Sequence, residues 1–221
     1  MRPTLFAFDL DGTLCEGGGL VGHEILSALD ALALMAVVSG ASDERIRSAF
    51  GGQAACWRLS QSGNVCVDPA GAEIWRQNLN EAERREIMAH IAQYSGEVDD
   101  RGCQISVSLV GHRAPPEIKS RFDPKQVIRR AILTAVPFDG RLTEVRIGGT
   151  TCLDYTRRGA TKGRNLKALM ARLGANCIYF GDALYPGGND ESVIGVCETV
   201  PVSGPADTLA KLSARLEKAA A

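Results

Sequence analysis

Short apolar runs set the rhythm of this chain. Residues 4–8, 35–38, 145–147 and 177–180 are strand-like, and stretches with helical spacing lie between them. Apolar runs without polar alternation fit strands covered on both faces, and their alternation with helices predicts an α/β fold around a parallel sheet. The clearest helix carries Leu166, Leu169, Met170 and Leu173 at i, i+3, i+4, i+7, with Gly174 as its stop. The strand Cys177–Phe180 follows almost at once.

The middle of the chain has a different pattern. Asn80 with Glu83 three residues on is a capping-box start, and Ile87, Ile91 and Tyr94 then share a helix face. Ile105, Val107 and Leu109 alternate with Ser106 and Ser108, which predicts a strand with one wet face. Asp123-Pro124 reads as an N-cap with proline at the first helical position, followed by an apolar face of Val127, Ile128, Ala131 and Ile132. Leu142, Val145 and Ile147 lead to Gly148-Gly149, after which Cys152, Asp154 and Thr156 share a strand face. Helix, strand, helix, strand with polar alternation predicts a small half-exposed sheet backed by two helices. The expected organisation is a core of 1–80 and 159–221 with an inserted domain of 81–158.

A length of 221 residues is enough for one large or two small domains with a real core. A formal net charge of −1 gives no reason to expect a nucleic acid or another polyanion as partner. Seven scattered cysteines, odd in number and without a C-x-x-C pair, argue against a disulfide framework or a zinc site and for a reducing cytoplasm. No apolar run approaches membrane-spanning length, and the first strand stands where a cleavable signal would be. The expectation is a cytoplasmic protein.

The candidate chemistry sits at strand ends. Asp9-Leu10-Asp11-Gly12-Thr13-Leu14 directly follows Leu5-Phe6-Ala7-Phe8, where open α/β sheets place their ligands. One carboxylate can be nucleophile and metal ligand while the other moves a proton. Gly12 allows a sharp turn, and Thr13 offers a hydroxyl and an N–H to an anion. Ser39-Gly40 ends the second run and can bind a phosphate oxygen through hydroxyl and amides. Lys162 opens the helix that contains Leu166, where a cation would neutralise phosphate and orient the nucleophile. Gly181-Asp182 ends the run 177–180, and Asn189-Asp190 follow Pro186-Gly187-Gly188; oxygen donors in this arrangement suit Mg²⁺.

In this order the four segments resemble the motifs of the haloacid dehalogenase superfamily, and the long insert resembles its large α/β cap class. The resemblance is strongest to the eukaryotic-type phosphomannomutases. It rests on Arg101 to Gly111, on the spacing from Gly148-Gly149 through Cys152, Asp154 and Gly159 to Lys162, on Gly181 to Asp190, and on Val202 to Thr208. Between about 54 and 95 little matches. The chain departs from those enzymes where Gly111 is followed by His112 instead of arginine, with Arg113 one position late, and where Cys152 replaces a serine. The second motif, Ser39-Gly40-Ala41-Ser42-Asp43, leaves either Ser39 or Ser42 as the phosphate-binding hydroxyl.

The resemblance implies a Rossmann-like parallel-sheet core with an inserted α+β cap. It implies Mg²⁺-dependent phosphoryl transfer on a sugar phosphate through an aspartyl-phosphate, by a mutase or by a phosphatase. Asp9 would be the nucleophile, Asp11 the acid/base and Lys162 the catalytic cation. Gly12, Thr13, Ser39 and Gly40 would bind phosphate. Asp9, the Asp11 carbonyl, Asp182, Asn189 and Asp190 would hold the metal. Arg101, His112 and Asp154 would contact the substrate. The partner is a small sugar phosphate, with no nucleic acid or membrane, and a homodimer is a possible assembly.

Overall fold

The computed structural model of the chain describes residues 2–52 and 54–220. The chain divides into two units, one running up to Trp75 and resuming at Thr161, the other Arg76–Ala160.

The first unit contains β1 (Thr4–Phe8), α1 (His23–Asp30), β2 (Met35–Val38), α2 (Asp43–Ala49), β3 (Trp57–Ser60), β4 (Val65–Val67) and β5 (Glu73–Arg76). The second contains α3 (Glu81–Ile91), β6 (Glu97–Asp100), β7 (Gln104–Ser108), α4 (Pro116–Phe122), α5 (Val127–Ala135), β8 (Thr143–Gly148) and β9 (Cys152–Arg157). The first then resumes with α6 (Lys162–Leu173), β10 (Asn176–Gly181), β11 (Glu198–Pro201) and α7 (Pro205–Ala220).

The seven strands of the first unit lie in the order β11-β10-β1-β2-β3-β4-β5. The five from β11 to β3 run parallel, and β4 turns back antiparallel to β3. Alternate side chains feed two apolar layers. Phe8, Val37 and Phe180 pack with Ile25 and Leu29 of α1, Ile46 of α2 and Leu212 of α7. Leu5, Ala7, Ala36 and Val38 pack with Leu166 and Leu169 of α6. Burial on both faces is why β1 and β2 read as unbroken apolar runs. Because β1, β2, β3 and β10 are parallel, their C-terminal ends share one edge of the sheet, and Asp9, Ser39, Gln61 and Asp182 stand along it.

The run 145–147 corrects the expected parallel sheet: it lies in β8, in the antiparallel sheet of the second unit. A short apolar run does not reveal its pairing partner, and here both faces of the strand are only partly covered. Conversely, β3 to β5 were not anticipated. In β3 the run is broken by Arg58, which is buried because its guanidinium reaches Asp43 Oδ1 at 2.7 Å and the Ala54 carbonyl at 2.7 Å.

The second unit is a four-stranded sheet, order β6-β7-β9-β8, antiparallel throughout. Ile87 and Ile91 of α3 pack on Ile105, Val107, Leu153 and Tyr155. The Asn80–Glu83 capping box forms at the start of α3. Inside this core His90 Nε2 donates to the Val136 carbonyl at 2.8 Å, and Nδ1 lies 2.7 Å from the Tyr155 hydroxyl.

Two expectations fail here. The polar side of β7 is not wet: Ser106 and Ser108 are buried with the rest of the strand, and Ser106 Oγ donates to Asp154 Oδ1 at 2.6 Å. The helix after Asp123-Pro124 starts at Val127, preceded by Gln126 at φ 61°. Asp123 still caps it at longer range, accepting from the Ile128 and Arg129 amides. The expected apolar face is split: Val127 and Ile128 are 64% and 41% exposed, while Ile132 packs against the core. Arg129 is turned inward and fully buried, because Asp123 Oδ2 at 2.9 Å and the carbonyls of Gly148, Gly149 and Cys152 satisfy its guanidinium.

Among the described residues no helix is long and apolar enough to cross a membrane.

Candidate active site

The site of the first unit grows from the turn after β1. The Asp9 amide donates to the Phe180 carbonyl at 2.9 Å, which fixes Asp9 against β10. The Leu10 carbonyl then accepts the amides of Thr13, Leu14 and Cys15, so the chain coils tightly after the strand. Gly12 sits at φ +88°, and a Cβ there would lie 2.5 Å from Asp182 Oδ2. Glycine therefore serves twice: it reaches a backbone conformation that side chains disfavour, and it lets the Asp182 carboxylate close over the turn.

Lys162 begins α6, behind the Thr161 cap. Its Nζ donates to Asp9 Oδ1 and to Asp190 Oδ1, each at 2.7 Å, with all three side chains buried. Asp190 Oδ1 also accepts from the Tyr179 hydroxyl at 2.6 Å, and its Oδ2 from the Ala183 amide at 3.2 Å. With both oxygens engaged, Asp190 braces the lysine. A side chain at Gly181 would strike Asp190 Oδ2, so this brace also needs glycine at the end of β10. Burial alone would lower the Lys162 pKa, but the charges of Asp190 and Asp9 outweigh it and hold the ammonium above its ordinary range.

Carboxylate oxygens of Asp9, Asp182 and Asp190 lie within 4.8 Å of one another. Burial raises Asp9 well above the usual carboxylate range; Asp190 and Asp182 add to this and Lys162 opposes it. Asp182 is raised by desolvation of its carboxylate and by the charge of Asp190. Crowded carboxylates that resist ionisation are what a hard divalent cation would relieve. Two buried oxygens in the same segments, Asn189 Oδ1 and Thr13 Oγ1, have no hydrogen-bond partner among the described residues. The donor set is all oxygen and fits Mg²⁺.

Ser39 ends β2, buried, with Oγ accepting from the Ala41 amide at 3.1 Å while its hydroxyl proton remains to be donated. Ser42 is the N-cap of α2 and accepts from the Arg45 amide at 3.2 Å. Ser39 therefore faces the strand-end edge, and Ser42 is committed to the helix. Gly40 follows Ser39 in the same turn.

Asp11 is placed differently from the other acids. Its carboxylate is outside the converging trio; Oδ1 accepts from Arg45 Nη2 and from the Gly18 amide, each at 2.9 Å. Arg45 and Tyr179 had not been singled out from the sequence. The Ser42-Asp43-Glu44 helix start could have signalled Arg45, since it sets that residue one turn into α2. Tyr179 is hidden in an apolar run.

In the second unit Asp154 pairs across the sheet with Ser106 and Arg146. Desolvation raises its carboxyl, opposed by the Ser106 hydrogen bond and by the charges of Arg101 and His112. Arg101 Nε donates to Asp99 Oδ2 at 2.7 Å, so it is an ion-paired residue beside Asp154. The His112 ring is clipped to backbone, with Nε2 3.0 Å from the Glu97 carbonyl and 3.3 Å from that of Ser106, and Arg113 is exposed. The charges of Arg101 and His112 thus both act on Asp154.

A parallel sheet with an inserted antiparallel unit is the fold seen in solved haloacid dehalogenase-like structures. The chain is similar to the phosphomannomutase of Encephalitozoon cuniculi, 22% identical over 253 residues that cover 98% of this chain and 95% of that one. Among solved structures it is similar to a haloacid dehalogenase-like hydrolase from B. subtilis, with a TM-score of 0.66, 18% identity, and coverage of 95% and 92%. It is also similar to an IMP-bound IMP-nucleotidase from Plasmodium falciparum, with a TM-score of 0.66, 15% identity, and coverage of 98% of this chain and 68% of that one. No family model matches the sequence.

Proposed function

We propose that this chain transfers a phosphoryl group from a sugar phosphate through an aspartyl-phosphate on Asp9, in the manner of the phosphomannomutases that it resembles. The observation that carries this reading is the buried Lys162 ammonium, 2.7 Å from both Asp9 and Asp190, beside an all-oxygen acidic cluster. Asp9 attacks phosphorus as the bond to the leaving oxygen breaks. Lys162 holds Asp9 Oδ1 in place and offsets charge on the transferring group. The Thr13 and Ser39 hydroxyls and the amides around Gly12 and Gly40 take the equatorial oxygens. Asp11 gives a proton to the leaving oxygen and later removes one from the incoming hydroxyl. Asp9, Asp182, Asn189 and the Asp11 carbonyl would hold Mg²⁺, with Asp190 in support. When bound, the ion would neutralise phosphate charge.

Asp154 would accept hydrogen bonds from sugar hydroxyls, and Arg101 would meet a distal phosphate. One observation favours hydrolysis over isomerisation. The position after Gly111, an arginine in the mutases, is a histidine whose Nε2 already donates to backbone. An imidazole so held is a poor grip for the second phosphate of a bisphosphate.

The deciding experiment is a panel of hexose and pentose phosphates with Mg²⁺, scored for free phosphate and for isomerised product, with and without hexose 1,6-bisphosphate. Interconversion of mannose 1-phosphate and mannose 6-phosphate establishes the mutase. Phosphate release without interconversion establishes the phosphatase. No turnover of any sugar phosphate or of p-nitrophenyl phosphate, with EDTA making no difference, would sink the reading.

A further inference from the structure

Arg45 is not among the residues that the resemblance implies, yet it grips the turn that carries the acid/base. Its Nη2 donates to Asp11 Oδ1 and to the Gly19 carbonyl, each at 2.9 Å, and lies 3.6 Å from Cys15 Sγ. It is held in place from its own side, because Ser42 caps α2 through the Arg45 amide. On the other side the segment Gly17-Gly18-Gly19 has little rotational restraint of its own, and the Gly18 amide joins Arg45 on the same Asp11 oxygen. The result is a carboxylate with a guanidinium and an amide on one oxygen, outside the cluster of Asp9, Asp182 and Asp190.

We infer that Arg45 is a positioning residue that parks Asp11. The inference rests on the proposed roles of Asp9 and Asp11. A proton donor to the leaving oxygen must stand beside phosphorus, which is where Asp9 attacks. In the parked arrangement Asp11 is held by Arg45 outside the acidic cluster, so it is not placed for that task. To act, Asp11 leaves Arg45 and swings toward Asp9. As the proposed acid it then gives its carboxyl proton to the oxygen whose bond to phosphorus breaks while the Asp9–phosphorus bond forms. The free carboxylate can return to the guanidinium. Arg45 thereby sets how much of the enzyme stands ready for the acid-dependent step.

The test uses leaving groups that differ in their need for a proton. Phenyl phosphate expels a poorer leaving group than p-nitrophenyl phosphate and depends more on a general acid. Single-turnover cleavage of both is measured with Mg²⁺ for the wild type, Arg45→Met, Arg45→Lys, Asp11→Asn, and Asp11→Asn with Arg45→Met. Losing a half-exposed ion pair should raise the phenyl-to-nitrophenyl rate ratio of Arg45→Met by about two- to fivefold. Arg45→Lys, which keeps charge without the fork, should fall between. With Asn at position 11 the ratio should no longer respond to Arg45→Met. A ratio that stays or falls in Arg45→Met, or that shifts equally in both backgrounds, overturns the inference and makes Arg45 a purely structural clamp. Asp9→Asn, run alongside, separates the two claims. If it cleaves both esters at the wild-type rate, the proposed function fails and the parking role fails with it. If it is dead while the ratio does not move, only the role of Arg45 falls.

Discussion

Lys162 and Asp190 are joined at 2.7 Å with both side chains almost completely buried, and neither could stand there alone. An unpaired charge at such a site would cost several kcal/mol, so the pair exists only as part of the network that reaches Asp9 and Tyr179. This separates two kinds of loss. Asp9→Asn should lower kcat by more than about a thousandfold, ~4 kcal/mol, because an amide cannot form the acyl phosphate. It should not lower stability, since it relieves a crowded carboxylate. Lys162→Met should lose activity and about 3 kcal/mol of stability together. Steady-state kinetics and urea unfolding of both variants check this; an Asp9→Asn protein as unstable as Lys162→Met would contradict the picture.

Metal binding should divide the acids along the same line. Asp182→Asn removes an oxygen of the converging trio. Asp11→Asn changes a carboxylate outside it and keeps the backbone carbonyl. Mg²⁺ titrations followed by thermal unfolding should show the stabilisation by the ion falling far more for Asp182→Asn. EDTA should abolish turnover in the wild type. The opposite order of affinities would exchange these roles.

The second unit should loosen in acid. The Arg157 hydrogen bond, aided by the Asn80 amide, holds Glu83 below the usual carboxylate range. Glu86 is also lowered: burial opposes this, but the Thr143 hydroxyl and the amides of Arg141, Leu142 and Thr143 outweigh it. Both groups bind protons more weakly folded than unfolded, so their contribution is present above about pH 4.3, the unfolded glutamate value, and is lost as pH falls through the folded values. Hydrogen exchange of α3 amides should therefore accelerate below about pH 4, beyond the intrinsic pH effect. Glu83→Gln should flatten that dependence; an unchanged profile would show that the pair with Arg157 contributes nothing.

Asp154 works in the other direction. Desolvation raises its pKa, so the ionised form costs stability above about pH 3.9, the unfolded aspartate value. Asp154→Asn should make the second unit slightly more stable at neutral pH while raising KM for the true sugar phosphate. The effect on p-nitrophenyl phosphate, which carries no sugar, should be much smaller. Equal losses on both substrates would mark Asp154 as structural.

The sequence was most legible where one physical demand acted alone. The four-residue runs of β1 and β2 and the spacing of α6 report burial directly, and the acids at the ends of β1 and β10 follow from the parallel sheet. It was least legible where a polar residue is buried through partners far away in the chain. Arg58 hides a strand, and Arg129 takes an inward place on α5, because the carbonyls and carboxylates that satisfy them are brought together only by folding. Arg45 was missed for the same reason: its partners, Asp11 and Gly19, lie on another segment. Ser106 was expected in water because alternation shows where polar side chains point, not what covers them.

The strand order also fixes a sequence of events during synthesis. In chain order β1 takes one neighbour, β2, from the next few dozen residues, but its other neighbour, β10, follows the whole second unit. Until then one edge of β1, with Asp9 at its end, lacks its partner, while every strand of the antiparallel sheet has already emerged. The small sheet can therefore close first, and the sheet edge that carries Asp9 and Asp182 together comes into being only once β10 has emerged.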